Sequence, residues 1–260
     1  MIVKDRFAGK VALVTGTTHG IGQAAAVRLA AEGALVAFNH RPTSSPDETM
    51  KMITDAGGKG FPVSADMGDP AQVMEMISET VRKGGRLDYV VSNAAVNPPL
   101  EWDKTTLEDY DQLMDVNLKG TWVVCSEGAK QMIKEGHGGA IVTLSSISAY
   151  IGAVDQTVYC ATKAGILMLS KAMALVLGKH GIRINCILPG SIYTNMSRNH
   201  PGSAARRFAE SKNPLCRIGH SDEVASVVSF LLSDDAGFMN GAELLVDGGM
   251  IINGEFNPTE

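Results

Sequence analysis

Seven short runs of apolar, largely β-branched residues recur along this chain with no sustained polar alternation: Val11–Val14, Leu35–Phe38, Gly60–Val63, Tyr89–Val91, Ala140–Leu144, Arg183–Ile187 and Glu243–Val246. A strand with one wet face reads apolar, polar, apolar, whereas a strand covered on both faces reads as a continuous apolar run. Between these runs lie segments of helical periodicity, Ile21–Ala31, Gln72–Lys83, Asp109–Lys134, Val158–Lys179 and Asp222–Leu232. Strand and helix in alternation predict an α/β fold, a doubly wound parallel sheet of about seven strands with helices on both faces. No linker or repeat divides the 260 residues, so one domain is expected over 1–260. One stretch breaks the rhythm. From about 191 to 221 no strand pattern appears, and Pro201, Gly202, Pro214 and Gly219 punctuate it. A loop that long in a compact domain reads as a functional lid, with Met196 as a lining residue and Tyr193, His200 and Arg217 as substrate-contact candidates.

Composition narrows the classes of partner. A net charge of −5 excludes a basic groove for nucleic acid, and 45% hydrophobic residues exclude a disordered chain. Cys125, Cys160, Cys186 and Cys216 form no C-x-x-C and read as small apolar residues in a reducing compartment. The six histidines lack metal-ligand spacing, so no metal is expected. The N-terminal apolar stretch is too short and too charged at its start for a signal peptide, and no uninterrupted apolar run reaches membrane length. A soluble cytoplasmic protein with a small-molecule substrate is the expectation, with no membrane partner.

Directly after the first run comes Thr15-Gly16-Thr17-Thr18-His19-Gly20-Ile21-Gly22, leading into a helix. Gly16 permits a tight turn, Gly20 lets backbone approach a pyrophosphate, and Gly22 lets the helix pack closely. The helix start adds unpaired N–H groups and a positive dipole end. A glycine trio alone is weak, but this one sits in the strand–turn–helix context that dinucleotide binding requires. An NAD site places an acidic residue at the end of the second strand, where this chain reads Asn39-His40-Arg41. Arg41 is suited to the 2′-phosphate of NADP, with Asn39, His40 and His19 as lesser polar neighbours. NADP is therefore the preferred cofactor, and NAD stays open as a second.

Further along, Tyr159-Cys160-Ala161-Thr162-Lys163 opens a helical segment, which puts Tyr159 and Lys163 on one face. A tyrosine near its ordinary pKa of about 10 is a poor base at neutral pH. A lysine ammonium close by, with the positive ring of a bound nicotinamide, favours the phenolate. Leu144-Ser145-Ser146 closes a predicted strand with hydroxyls able to bond a substrate oxygen. Taken alone, Tyr-x-x-x-Lys is a common accident.

The combination resembles the short-chain dehydrogenase/reductase family over nearly the whole chain. The matching pieces come in the family's order: the glycine turn, Asp66, Ser92-Asn93-Ala94-Ala95, Asn117, Ser146, Tyr159 with Lys163, Pro189-Gly190, and Val246-Asp247-Gly248-Gly249. The resemblance implies a Rossmann fold and an oxidoreductase acting on a secondary alcohol or carbonyl. It makes Tyr159 the general acid/base and Ser146, rather than Ser145, the group that polarises the substrate oxygen. It gives Lys163 the nicotinamide ribose and the tyrosine pKa, and Asn117 a water that relays protons. Asp66 and Met67 would flank the adenine, and Asn93 and Ala94 would line the other side. Ile192 and Thr194 would meet the carboxamide, beside Pro189 and Gly190. Two positions depart from the pattern: Ala95 stands where a glycine is usual, and His19 where an arginine is frequent. The substrate loops supply Asn97, Pro98, Ser148, Tyr150, Gln156 and Tyr193, a polar mixture suited to a sugar or polyol. The rivals are a 3-oxoacyl thioester reductase and, outside catalysis, a dinucleotide-binding regulator. Family members commonly form tetramers through the tyrosine-bearing helix and the last helix–strand unit, so a homotetramer is expected.

Overall fold

The structure is a computed structural model that describes residues 2–194 and 201–252. The chain runs β1 (Val11–Val14), α1 (Gly20–Ala31), β2 (Leu35–His40), α2 (Asp47–Asp55), β3 (Lys59–Ser64), α3 (Pro70–Gly84), β4 (Tyr89–Ser92) and α4 (Leu107–Leu113). It continues through a π-helical segment (Met114–Lys119) into α5 (Gly120–Glu135), then β5 (Gly139–Leu144), α6 (Thr157–Leu177) and β6 (Ile182–Pro189). It closes with β7 (Ile192–Tyr193), α7 (Ala204–Lys212), β8 (Gly219–His220), α8 (Ser221–Leu232) and β9 (Glu243–Val246).

Seven strands form one parallel sheet in the order β3-β2-β1-β4-β5-β6-β9. The absence of alternation has its cause in this arrangement. Ala12 and Val14 of β1 pack with α1 and α8 on one face, while Leu13 packs with α3, α5 and α6 on the other. The central strands are covered by helices on both faces, so most of their positions are apolar. The chain winds outward from β1 to β3, then returns to the middle and winds the other way from β4. The reversal leaves a crevice at the carboxyl ends of β1 and β4, where open α/β sheets bind their ligands.

The sequence runs match the seven strands, with ends extended by one or two residues. Five elements escape the sequence reading: α2, the π-helical turn, α7, β7 and β8. α2 is short and buries only Thr49 and Ile53, too few positions for a visible stripe. The segment read as one helix from Asp109 to Lys134 is α4, a π-helical turn and α5, because the extra residue of a π-turn leaves no periodic trace. The stretch from 191 to 221 is not structureless. It contains α7, which buries Ala209 alone, and the two-residue parallel pair β7–β8. Met196 and His200 lie outside the described residues.

By length and composition Thr157–His180 is apolar enough to cross a membrane. Its apolar character has another use here: α6 packs on β5 and β6, with Ile166, Leu167, Ala174 and Leu177 buried. The remaining apolar face borders a groove against α5.

Candidate active site

The glycine turn between β1 and α1 is held from three sides. Gly16 adopts φ +67°, and a Cβ there would stand 2.7 Å from Ala94 Cα. A Cβ on Gly22 would stand 2.3 Å from the Gly16 carbonyl oxygen and 2.4 Å from Asn93 Nδ2. Asn93 Nδ2 donates to the carbonyls of Thr15 (2.9 Å) and Gly16 (3.0 Å), while Thr15 Oγ1 accepts from the N–H groups of Asn93 and Ala94. The loop after β4 is thereby locked to the loop after β1. From α2, Thr49 Oγ1 donates to the Thr17 carbonyl at 2.7 Å.

Asn39 differs from expectation. It is buried, and its amide is spent within the protein: Oδ1 accepts from Gly16 N–H at 3.1 Å, and Nδ2 donates to the carbonyls of His40 and Ala65 at 3.2 Å. Its own carbonyl accepts from both Thr17 N–H and Thr17 Oγ1. It shapes the turn and has no donor left for a ribose phosphate. His40 and Arg41 follow it outward. The Arg41 side chain is exposed and makes no hydrogen bond or ion pair among the described residues, while its carbonyl accepts from Ser44 N–H at 2.9 Å.

The start of α1 fits an anionic group. His19 occupies the N-cap position without a side-chain hydrogen bond, and no acidic residue stands in the first turn. The leading N–H groups thus have no internal acceptor and face the crevice between the two locked loops, the arrangement that binds a pyrophosphate. Thr18 and Ile21 are half-buried beside it. Thr194 lies over this turn, since a Cβ on Gly20 would meet its methyl at 3.2 Å. Beyond β3, Asp66 is exposed and Met67 buried; one Asp66 carboxylate oxygen accepts from Gly68 N–H at 2.8 Å.

At the far end of the crevice, α6 presents Tyr159 and Lys163 one turn apart. The Lys163 Nζ lies 5.4 Å from the Tyr159 ring centroid and donates to the Leu144 carbonyl at 2.9 Å. Ser145 is buried and donates to the Lys163 carbonyl at 2.7 Å, which removes it as a substrate-facing hydroxyl. Ser146 is the half-buried one, near enough to Tyr159 to favour its phenolate, and accepts from Ser148 N–H at 3.1 Å. The choice of Ser146 over Ser145 thus has a geometric reason.

The electrostatics correct one expectation. Burial pushes the Tyr159 phenol up to about 12, outweighing the Ser146 hydroxyl that favours the phenolate, and burial pushes Lys163 down to about 8. The chain's own groups therefore keep the phenol protonated at neutral pH.

Asn117 is buried in the π-helical segment with its side chain fully engaged. Oδ1 accepts from Val96 N–H at 2.8 Å, and Nδ2 donates to the Val96 carbonyl (2.9 Å) and Thr162 Oγ1 (3.3 Å). The amide clamps the loop after β4 to α6: both Nδ2 hydrogens are engaged, and Oδ1 keeps a second acceptor position.

Pro189 ends β6, and Gly190 fits only as glycine, because a Cβ would lie 2.6 Å from Asp247 Cβ. Ile192 is buried and paired with Gly219 of β8. Of the substrate candidates, Pro98, Gln156 and Tyr159 line one narrow cleft, Ser148 adjoins Ser146, and Tyr193 is exposed on the lid. Asn97 keeps a buried Oδ1 without a partner. Two candidates are committed elsewhere. Tyr150 donates to Glu243 at the sheet edge, and Arg217 is held by both Glu223 oxygens at 2.8 and 2.6 Å. Sequence reasoning missed Thr15, Thr49 and Thr162, whose hydroxyls lock the site; a threonine beside a loop carries no signal of that use. Among the described residues no group of three or more His, Cys, Asp or Glu side chains is placed to hold a metal.

Comparison with known proteins follows this geometry. The family described as enoyl-(acyl carrier protein) reductase matches residues 16–251. An L-rhamnose 1-dehydrogenase (NAD(P)(+)) of Sphingomonas sp. is 39% identical over 94% of this chain and 97% of its own length. A 3-oxoacyl-[acyl-carrier-protein] reductase of Thermotoga maritima is 36% identical over 95% of this chain and 100% of its own. Among solved structures, a short-chain dehydrogenase from Burkholderia cenocepacia in complex with NADP superposes with a TM-score of 0.88 at 31% identity, covering 95% of this chain and 99% of that one.

Proposed function

This chain belongs to the short-chain dehydrogenase/reductase family, and on that premise we propose that it is an NAD(P)-dependent sugar dehydrogenase that oxidises a ring or chain CH–OH group. The observation that carries the chemistry is the Ser146–Tyr159–Lys163 group, three side chains fixed by β5 and α6 at the open end of the crevice. The similarity to an L-rhamnose 1-dehydrogenase supports a sugar, and so do the polar groups of Gln156 beside Tyr159 and Ser148 beside Ser146. The one specific support for a 3-oxoacyl thioester is the Thermotoga maritima relative, at somewhat lower identity.

A nicotinamide dinucleotide, when bound, would supply or accept the hydride. Gly16, Thr18, His19, Gly20, Ile21 and Gly22 hold its pyrophosphate on the α1 N-terminus, and Arg41 attracts a 2′-phosphate. Asp66, Met67, Asn93, Ala94 and Ala95 border the adenosine half, and Pro189, Gly190, Ile192 and Thr194 the nicotinamide half. In the oxidative direction Tyr159 takes the proton from the substrate hydroxyl; in the reductive direction it returns it. Ser146 donates to the same substrate oxygen and orients it. Lys163 anchors the nicotinamide ribose and adds a positive charge beside the phenol. Because burial raises the Tyr159 phenol to about 12, the Lys163 ammonium is the chain's own group that would favour the phenolate, and a bound oxidised nicotinamide would add positive charge there. Asn117 fixes the Val96 backbone and Thr162, and its Oδ1 keeps an acceptor position for a relay water.

We place the protein in the cytoplasm as a homotetramer of single-domain subunits, with 191–221 as the substrate lid. The four unpaired cysteines fit a reducing compartment. A screen of aldoses, polyols and 3-oxoacyl thioesters with both cofactors tests the function. Turnover of an aldose or deoxyaldose at the anomeric carbon is expected. Turnover confined to thioesters, or none with any substrate, overturns it.

A further inference from the structure

Apolar burial does little to hold α7 on the rest of the fold. The helix buries Ala209 alone, while Phe208 within it and Leu215 just beyond it are exposed. A side chain holds its carboxyl end instead. Asn213, the residue that ends α7, is buried, and its amide is divided between two turns. Oδ1 accepts from Leu215 N–H at 2.8 Å, within a local turn in which Cys216 N–H donates to the Asn213 carbonyl at 2.8 Å. Nδ2 reaches across to the turn after β9 and donates to the Asp247 carbonyl at 3.0 Å. That second turn is well braced. The two Asp247 carboxylate oxygens accept from Gly249 N–H and Ile251 N–H at 2.9 Å each. Gly248 takes φ +67°, and a Cβ on it would stand 2.4 Å from Asn213 Oδ1, so glycine is required where the asparagine rests. The same turn meets the end of β6, where Gly190 N–H donates to the Val246 carbonyl at 3.0 Å.

The chain that follows β7 therefore meets the body of the fold at two places along the crevice. Thr194 lies over the glycine turn, its methyl 3.2 Å from where a Gly20 Cβ would stand, and Asn213 lies on the turn beside Gly190. We propose that Asn213 is a positioning residue for the bound dinucleotide: its amide latches the end of α7 to the Asp247–Gly248 turn, and release of that latch limits how fast the cofactor leaves. The inference rests on the dinucleotide-binding reading above. Asn213 acts through α7 and needs no contact with the cofactor. A segment with few buried apolar side chains opens at low cost, so one buried hydrogen bond is a large share of what keeps it seated. The β7–β8 pair and the Arg217–Glu223 ion pair brace the neck of this stretch, and both stay in place when the latch opens.

The test follows release of NADPH and of NADH by stopped-flow fluorescence, each displaced by excess oxidised cofactor, in wild type, Asn213→Ala and Asn213→Asp. Aspartate keeps an oxygen to accept from Leu215 N–H and loses the donor that reaches Asp247, so it separates the latch from the local turn. Both variants are expected to release cofactor about five- to tenfold faster than wild type, with association within about twofold. Amide hydrogen exchange is expected to quicken in α7 and to stay unchanged in α8, which a general loss of stability would not do. Should Asn213→Asp fail to fold, Asn213→Ser serves with the same expectation: its hydroxyl still accepts from an N–H two residues on and is too short to reach Asp247. Release at the wild-type rate in Asn213→Ala overturns the proposal. So does wild-type release in the aspartate or serine variant, or exchange that quickens equally in α7 and α8. Wild type that binds neither cofactor overturns the dinucleotide reading beneath it, a result distinct from unchanged release.

Discussion

Tyr159 joins a hydroxyl able to move a proton to a burial that keeps the proton in place, and Lys163 joins a charge to a burial that works against it. Replacing Tyr159 by Phe removes only the hydroxyl. Turnover is expected to fall by about 10²–10⁴-fold, with Kd for NADP, measured by titration, nearly unchanged; equal rates would refute the acid/base role. Arg41→Ala should weaken NADP roughly tenfold and leave NAD within about twofold, read from the two Kd values. The buried lysine also predicts a pH dependence of stability. Its folded pKa of about 8 lies below the 10.5 of the exposed side chain, so between those values the unfolded chain binds a proton that the fold has released. Stability from this group therefore rises as pH increases from about 8 to about 10.5. Thermal melts should show the gap between wild type and Lys163→Met moving in favour of wild type across that range; a gap independent of pH would contradict it. Tyr159 acts in the opposite sense above its ordinary 10, since the fold retains a proton up to about 12 that the unfolded chain loses. At this scale Tyr159, Lys163 and Arg41 were legible in the sequence as side chains of the right chemistry at the right spacing. The role of Asn39 was not, because whether an amide faces a ligand or its own backbone depends on neighbours far along the chain: Gly16 and Ala65 claim it.

Elements position these groups by being locked to each other at their ends. The turn before α1, the loop after β4 and the end of β3 share one hydrogen-bond network through Thr15, Asn39 and Asn93. The π-helical turn between α4 and α5 aims Asn117 at Val96 and Thr162, joining that loop to the helix bearing Tyr159. Gly22 is where the first network is tightest. Gly22→Ala should force the Gly16 carbonyl or the Asn93 amide to move, costing about 1–3 kcal/mol in urea unfolding and weakening both cofactors together. Loss of stability without any loss of affinity would mean that the turn does not shape the phosphate site. The glycine trio was readable because one residue type is required at each of three fixed offsets. The π-turn was not, since Met114–Lys119 has the composition of an ordinary amphipathic helix.

Across the whole molecule, α6 divides its surface between the sheet and a groove of about 690 Å³ against the π-helical turn and α5, lined by Met114, Leu118, Trp122, Met168, Leu169 and Ala172. Trp122 and Met168 are 53% and 62% exposed, large apolar side chains whose burial against a second copy is the proposed assembly. Trp122→Glu should shift the sedimentation of the protein toward smaller species; an unchanged mass would place any interface elsewhere. The groove also explains why α6 is apolar enough to resemble a membrane span without facing lipid in this fold: one side of it lies on β5 and β6. The sequence by itself determined the doubly wound sheet and the glycine turn, because strand burial, helix periodicity and required residue types are local properties written in order along the chain; Ser146, Tyr159 and Lys163 were picked out as a proposed site by their resemblance to the family's order of motifs. Only the tertiary structure decided that Asn39 and Asn117 bond to backbone, that Arg217 belongs to Glu223, and that burial holds the Tyr159 proton. Those outcomes are set by which distant groups fill a side chain's hydrogen-bonding capacity and by how much water the fold removes, and neither quantity is local.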